Sequence, residues 1–132
     1  MKISVQPDKK KAESLLKMAE VTLSRLKETD KLKYPSNTLD DYYDSIHQLM
    51  EAIILLHGIK FKGEGAHFEL INYVFENFIK DSINKDFLQE MREYRNKISY
   101  EGFEINKNYI EQNDSKINKI IDILENFLKK IL

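Results

Sequence analysis

The run Thr38-Leu-Asp-Asp-Tyr-Tyr-Asp-Ser-Ile-His-Gln-Leu-Met-Glu-Ala-Ile-Ile-Leu-Leu-His-Gly58 decides the fold class. Within it Leu39, Tyr42, Tyr43, Ile46, Leu49, Met50, Ile53, Ile54 and His57 recur at intervals of three and four, so a helix gathers them on one broad face. Thr38 followed by Asp41 is a start signal, an N-cap with an acid in the first turn. Gly58 suits the left-handed position just past a helix end. An apolar face this wide must be covered from several sides, so this is expected to be the most buried helix.

Working outward, the same period continues in both directions. Upstream, Pro7 and Asp8 open a helix that carries Ala12, Leu15, Leu16, Ala19, Leu23 and Leu26 and ends near Asp30. Residues 31–37 read as a connector, with Pro35 blocking continuation. Downstream, Gly58 to Gly65 reads as a loop, and Ala66 to Phe78 as a third helix with Phe68, Ile71, Val74, Phe75 and Phe78 inside. A fourth spans about Asn84 to Tyr100, ended by Glu101-Gly102. A fifth runs from about Asn108 to Leu132, striped by Ile117, Ile120, Ile121, Leu124, Phe127, Leu128 and Ile131. No strand alternation and no repeat of 20–50 residues is seen. The pattern predicts one all-α domain over residues 1–132, an antiparallel up-and-down bundle of four to five helices.

Composition narrows the function classes. A chain of 132 residues with no cysteine has no disulfide or thiolate chemistry, and any zinc would need His and carboxylates. Net charge is −1 with 33% charged residues, unlike a globally basic nucleic-acid binder, so any RNA contact must come from a local patch. No apolar run reaches the ~18 residues of a spanning helix, and Met1 to Gln6 carries no apolar signal core. A cytoplasmic protein with no membrane contact is expected. The glycine-containing loop lacks phosphate-cradling spacing, and no HExxH or paired-carboxylate signature exists.

Few residues remain to carry chemistry. His47 has Asp44 at i−3 and Glu51 at i+4, which reads as an ion pair on the polar side of the second helix rather than a metal site. His57 reads as a C-terminal cap, favoured there by the helix dipole. His67 begins the third helix. The most suggestive stretch is Arg92-Glu-Tyr-Arg-Asn-Lys-Ile-Ser-Tyr-Glu-Gly102. At ~100° per residue, Phe87, Met91, Tyr94 and Ile98 face the core, while Arg92, Arg95 and Ser99 follow one another beside that stripe. Two of the three arginines thus share a flank. A guanidinium recognises phosphate through a planar bidentate fork. The competing reading is salt bridging to Glu51, Glu69 or another acid of the bundle.

That stretch resembles the signature of the HEPN family, the higher eukaryotes and prokaryotes nucleotide-binding domains. Its members are small helical bundles with an Arg, often a polar residue such as Asn, and a His four or five residues after the Arg. Arg95-Asn96 matches the opening, while Ser99 and Tyr100 stand where the His would be. Helix order, the Tyr42-Tyr43…Glu51-Ala52…Leu55 helix and the run Gly65-Ala66-His67-Phe68-Glu69-Leu70 are similar in style over residues 8–130. The resemblance implies a homodimer with a shared cleft, metal-independent ribonuclease chemistry without a cofactor, and a nucleotidyltransferase as antitoxin partner. It implies RNA or nucleotide phosphate bound by Arg95 and Asn96, and by their place on the same flank Arg92 and Ser99 would add a second cation and a hydroxyl donor. Catalysis needs a proton carrier titrating near neutrality, and a Tyr near 10 is a poor one. With Arg95 and Tyr100 as the catalytic candidates, the chain reads as a degenerate member of the toxin type. Whether His67 or Glu51 joins the site is left open. The alternative is a non-catalytic helical protein–protein interaction module of a toxin–antitoxin or defence system.

Overall fold

Asp8 starts helix α1, Lys9–Lys27, by accepting the Lys11 amide at 3.0 Å, which satisfies one of the four donors a helix start leaves free. The computed structural model describes residues 1–132. Four more helices follow: α2 (Pro35–Leu56), α3 (Ala66–Asn77), α4 (Ser82–Glu101) and α5 (Lys107–Ile131). Helix makes up 74% of the chain, far above the usual third, so the protein is an all-α bundle as expected. No helix is long and apolar enough to cross a membrane.

Helix α2 is the hub. It packs against α1, α3, α4 and α5, and Leu39, Ile46, Leu49, Met50, Ala52 and Ile53 are all 0% exposed. A single cluster of 26 buried residues joins the five helices. Arg25 of α1 pairs with Asp41 of α2 at 2.9 Å, end against start, so these two helices run antiparallel. Tyr42 donates to Asp114 of α5, which also accepts from Lys31 at 3.4 Å, fixing the connector to both helices.

Three details differ from the sequence reading. Helix α2 begins at Pro35, not Thr38: proline occupies the first turn, where its missing N–H costs nothing. Thr38 instead donates its hydroxyl to Lys31 O at 2.7 Å and lies buried inside the first turn. The segments read as strandless, before Pro7 and after Gly58, contain two strands. β1 (Lys2–Ser4) and β2 (Ile59–Phe61) pair antiparallel with Ile3 opposite Lys60. Three residues are too few for alternation to show. The third detail refines the order of the bundle. β2 carries the chain back along α2, so that His67 of α3 stands beside His47 while Phe78, at the far end, meets His57. α3 therefore starts alongside the middle of α2 instead of at its end, and that placement builds the site.

Candidate phosphate-binding site

Met91 and Leu88 of α4 are 0% exposed, and anchoring them turns the Arg92–Arg95 flank toward α2 and α3. Arg95 Nη2 donates to Asp44 Oδ1 at 3.3 Å, and its Nε lies 4.0 Å from Asp40 Oδ1. The second approach is an attraction of charges too long for a hydrogen bond. Arg95 Nε and Asp40 Oδ1 are accordingly both buried without a hydrogen-bond partner. The guanidinium sits 5.8 Å from the centre of the Tyr43 ring. Arg92 donates from Nε to Gln89 Oε1 at 2.8 Å, lies 5.5 Å over Phe68 and is 3.9 Å from Glu93. The acids that engage the arginines are thus Asp40, Asp44 and Glu93, not Glu51 or Glu69.

Two imidazoles join them. His67, in the first turn of α3, packs on His47 of α2 with ring centroids 4.1 Å apart, and Tyr43 flanks them at 6.2 and 6.3 Å. His47 Nε2 meets Glu51 Oε1 at 2.9 Å, the pair expected from their spacing, and α3 covers it so that only 18% of the His47 side chain is exposed. His47 Nδ1 has no partner. His57 keeps its capping position, with Nδ1 2.8 Å from Ile53 O. No group of three His, Cys, Asp or Glu side chains is arranged to hold a metal ion.

Burial and charge set the protonation states. Burial, with the nearby His47 and Arg95 charges adding to it, pushes His67 below its ordinary value, so its imidazole is neutral at pH 7. Burial pushes the Tyr43 hydroxyl up to about 12, so it is a hydrogen-bond donor and not a proton carrier. The hydrogen bond from His47 holds Glu51 below the usual carboxylate range. Burial raises Asp40 against the pull of Arg95. The arrangement therefore offers two guanidiniums for phosphate oxygens, a neutral imidazole that can accept a proton, and a phenol that can donate a hydrogen bond.

Of the residues singled out in the sequence, the structure brings Arg92, Arg95, His67 and Glu51 into one neighbourhood. Asn96 is half-buried, while Ser99 is exposed and Tyr100 is 80% exposed. Sequence reasoning missed Asp40, read Tyr43 only as part of the apolar face and Asp44 only as a neighbour of His47, and left His47 on the surface. A signal existed: positions 40, 43, 44, 47 and 51 form a polar and aromatic stripe at helical spacing beside the apolar face. No family model, curated protein or solved structure matches this chain.

The His67 shift has a consequence for stability. Its folded pKa is depressed, so below about pH 6.5 the unfolded chain takes up a proton that the folded protein resists, and stability falls as pH drops through that window. Glu51 has the same sign at lower pH, where its contribution is lost as pH falls through its folded value. Asp40 and Glu125, raised by burial, act in the opposite sense there. The window that reports His67 therefore opens as pH falls below about 6.5. Urea midpoints should fall across it, and His67→Gln should remove part of that fall; equal slopes in both proteins would refute the assignment.

Proposed function

We propose that this chain is a HEPN-like helical domain that binds RNA or nucleotide phosphate at the Arg92–Arg95 flank of α4, with Asn96 beside it. The observation that supports this reading most is the meeting of two arginines from α4 with His47 and His67 from α2 and α3 on one partly exposed surface. Phosphate recognition wants delocalised cations that a ligand can reach, and a quarter of the Arg95 side chain is exposed. Arg95→Ala should weaken binding of a short single-stranded RNA or a nucleotide by about 1–3 kcal/mol, the scale of a charge-assisted hydrogen bond, and leave the helical spectrum unchanged. Binding should fall with added salt, because phosphate contacts release counterions. Cleavage is weak or absent in this reading, since Ser99 and Tyr100 provide no group that titrates near neutrality and His67, held neutral, can serve as a base but brings no acid for the leaving group. Metal-free incubation with labelled RNA tests both parts: unchanged binding in Arg95→Ala removes the site, and strong cleavage that needs Arg95 and His67 makes it an active ribonuclease.

A second reading has its own observation. Asp44 and Asp40 already hold Arg95, so a phosphate must compete with two carboxylates. That favours the non-catalytic interaction module of a toxin–antitoxin or defence system, in which Arg95 braces α4 against α2. The homodimer belongs to the first reading. Of the apolar residues near the end of α4, Ile105 is 7% exposed and Tyr94 packs on Tyr109, whereas Tyr100 at 80% and Phe103 at 42% remain for a partner to cover. Sedimentation should show a dimer at tens of micromolar that Tyr100→Asp with Phe103→Asp dissociates; a monomeric wild type would end that part of the proposal.

A further inference from the structure

His47 and His67 also line a cavity of about 120 Å³ that neither arginine of α4 reaches, at the corner where α1, α2, β2 and the start of α3 meet. One water needs roughly 10–15 Å³ measured the same way, so the space suits a ligand of several heavy atoms. Half of its lining is apolar, including Leu15, Ile54, Phe61 and Leu70. Its polar part is cationic: Lys11, Lys60 and Lys62 stand against one carboxylate, Glu51, which His47 already occupies. The lysines that form ion pairs in this protein are Lys31, Lys85 and Lys129, so these three have none.

The backbone adds a donor to the same wall. Helix α3 starts at Gly65, which is left-handed with φ 79° and has no side chain to cap the first turn. The Ala66 amide donates to Gly63 O at 3.2 Å and the Glu69 amide to Gly65 O at 3.0 Å, which leaves the N–H of His67, a residue of the cavity lining, without a partner, while Glu69, the acid of this first turn, is paired with the N-terminal ammonium at 2.9 Å. Unpaired first-turn amides carry the positive end of the helix dipole. A phosphate monoester, with a charge near −2 and three terminal oxygens, answers three unpaired lysines better than a singly charged carboxylate does, and the apolar half of the cavity leaves room for a compact organic body.

We propose that this cavity binds a small phosphomonoester, its phosphate at Lys60, Lys62 and the His67 amide and its apolar body against Leu15, Ile54 and Phe61. The site stands on its own residues and does not depend on the reading of Arg95. Because His47 and His67 are shared, occupancy of the cavity also bears on the imidazoles beside the arginines.

Amide NMR titration at fixed ionic strength separates the possibilities, with inorganic phosphate and phenyl phosphate as probes and chloride as the control. The His67 amide should shift to saturation with both phosphates, with phenyl phosphate the tighter because its ring fills the apolar half. Lys60→Ala with Lys62→Ala, both at exposed positions, should weaken binding about tenfold or more, as two charge-assisted contacts imply. Arg95→Ala should leave it unchanged, so failure of the α4 site and failure of this one are distinguishable. Unaltered affinity in the double lysine variant, an equal response to chloride, or shifts confined to α4 would each overturn the proposal.

Discussion

Leu49→Ala is expected to lower the free energy of unfolding by roughly 2–5 kcal/mol. Leu49 is 0% exposed at the middle of α2, the helix that touches the other four, so the wall around it comes from several elements. Deleting its three outer carbons removes their transfer free energy and leaves a void that cannot close, because each neighbour is held by its own stripe. Ile46, Met50 and Ile53, also 0% exposed, are on the same helix and restrict collapse. Against a net stability of about 5–15 kcal/mol for an ordinary domain, such a loss is a large fraction of the whole. Urea denaturation with an unchanged m-value should report it. A change under about 1 kcal/mol would mean that α2 is not the centre of the core.

Gly58→Ala should cost about 2–4 kcal/mol, the second largest effect expected here, and should release β1. Gly58 has φ 72°, a conformation that costs an L-residue roughly 1–2 kcal/mol. A Cβ at this position would also come within 2.9 Å of Val5 O, a backbone atom with no freedom to swing away. The Val5 amide donates to Gly58 O at 2.9 Å and the Lys62 amide to Met1 O at 2.9 Å, so the two sides of the ribbon move together. Hydrogen exchange should show both amides losing protection in the variant while the core amides of α2 keep theirs. Equal loss everywhere would mean that the glycine matters to the whole fold and not to the strand pair.

How far each feature could be read follows from the range of the interaction behind it. The helices are legible because a period of 3.6 is written within ten or twenty consecutive residues, and Gly58 and Gly102 show their left-handed conformations as expected for residues that end helices. The N-cap of α2 is Tyr34 and lies four residues before the expected Thr38, since Pro35 can end one element or begin the next and only the path of residues 31–34 decides between them. The strand pair was invisible because Lys2–Ser4 and Ile59–Phe61 are short and stabilise each other only across more than fifty residues of chain.

The site divides in the same way. The sequence by itself determined that the protein is a bundle of helices around α2, and that Arg92 and Arg95 share one flank of α4, since both follow from local periodicity. Only the tertiary structure decided what faces that flank. The β2 return lays α3 beside the middle of α2, which sets His67 on His47, and the packing of α4 on α2 brings Asp40, Tyr43 and Asp44 to Arg95. Those partners lie on three helices, so their meeting depends on how the apolar stripes of separate elements pack, and no spacing along one helix encodes it.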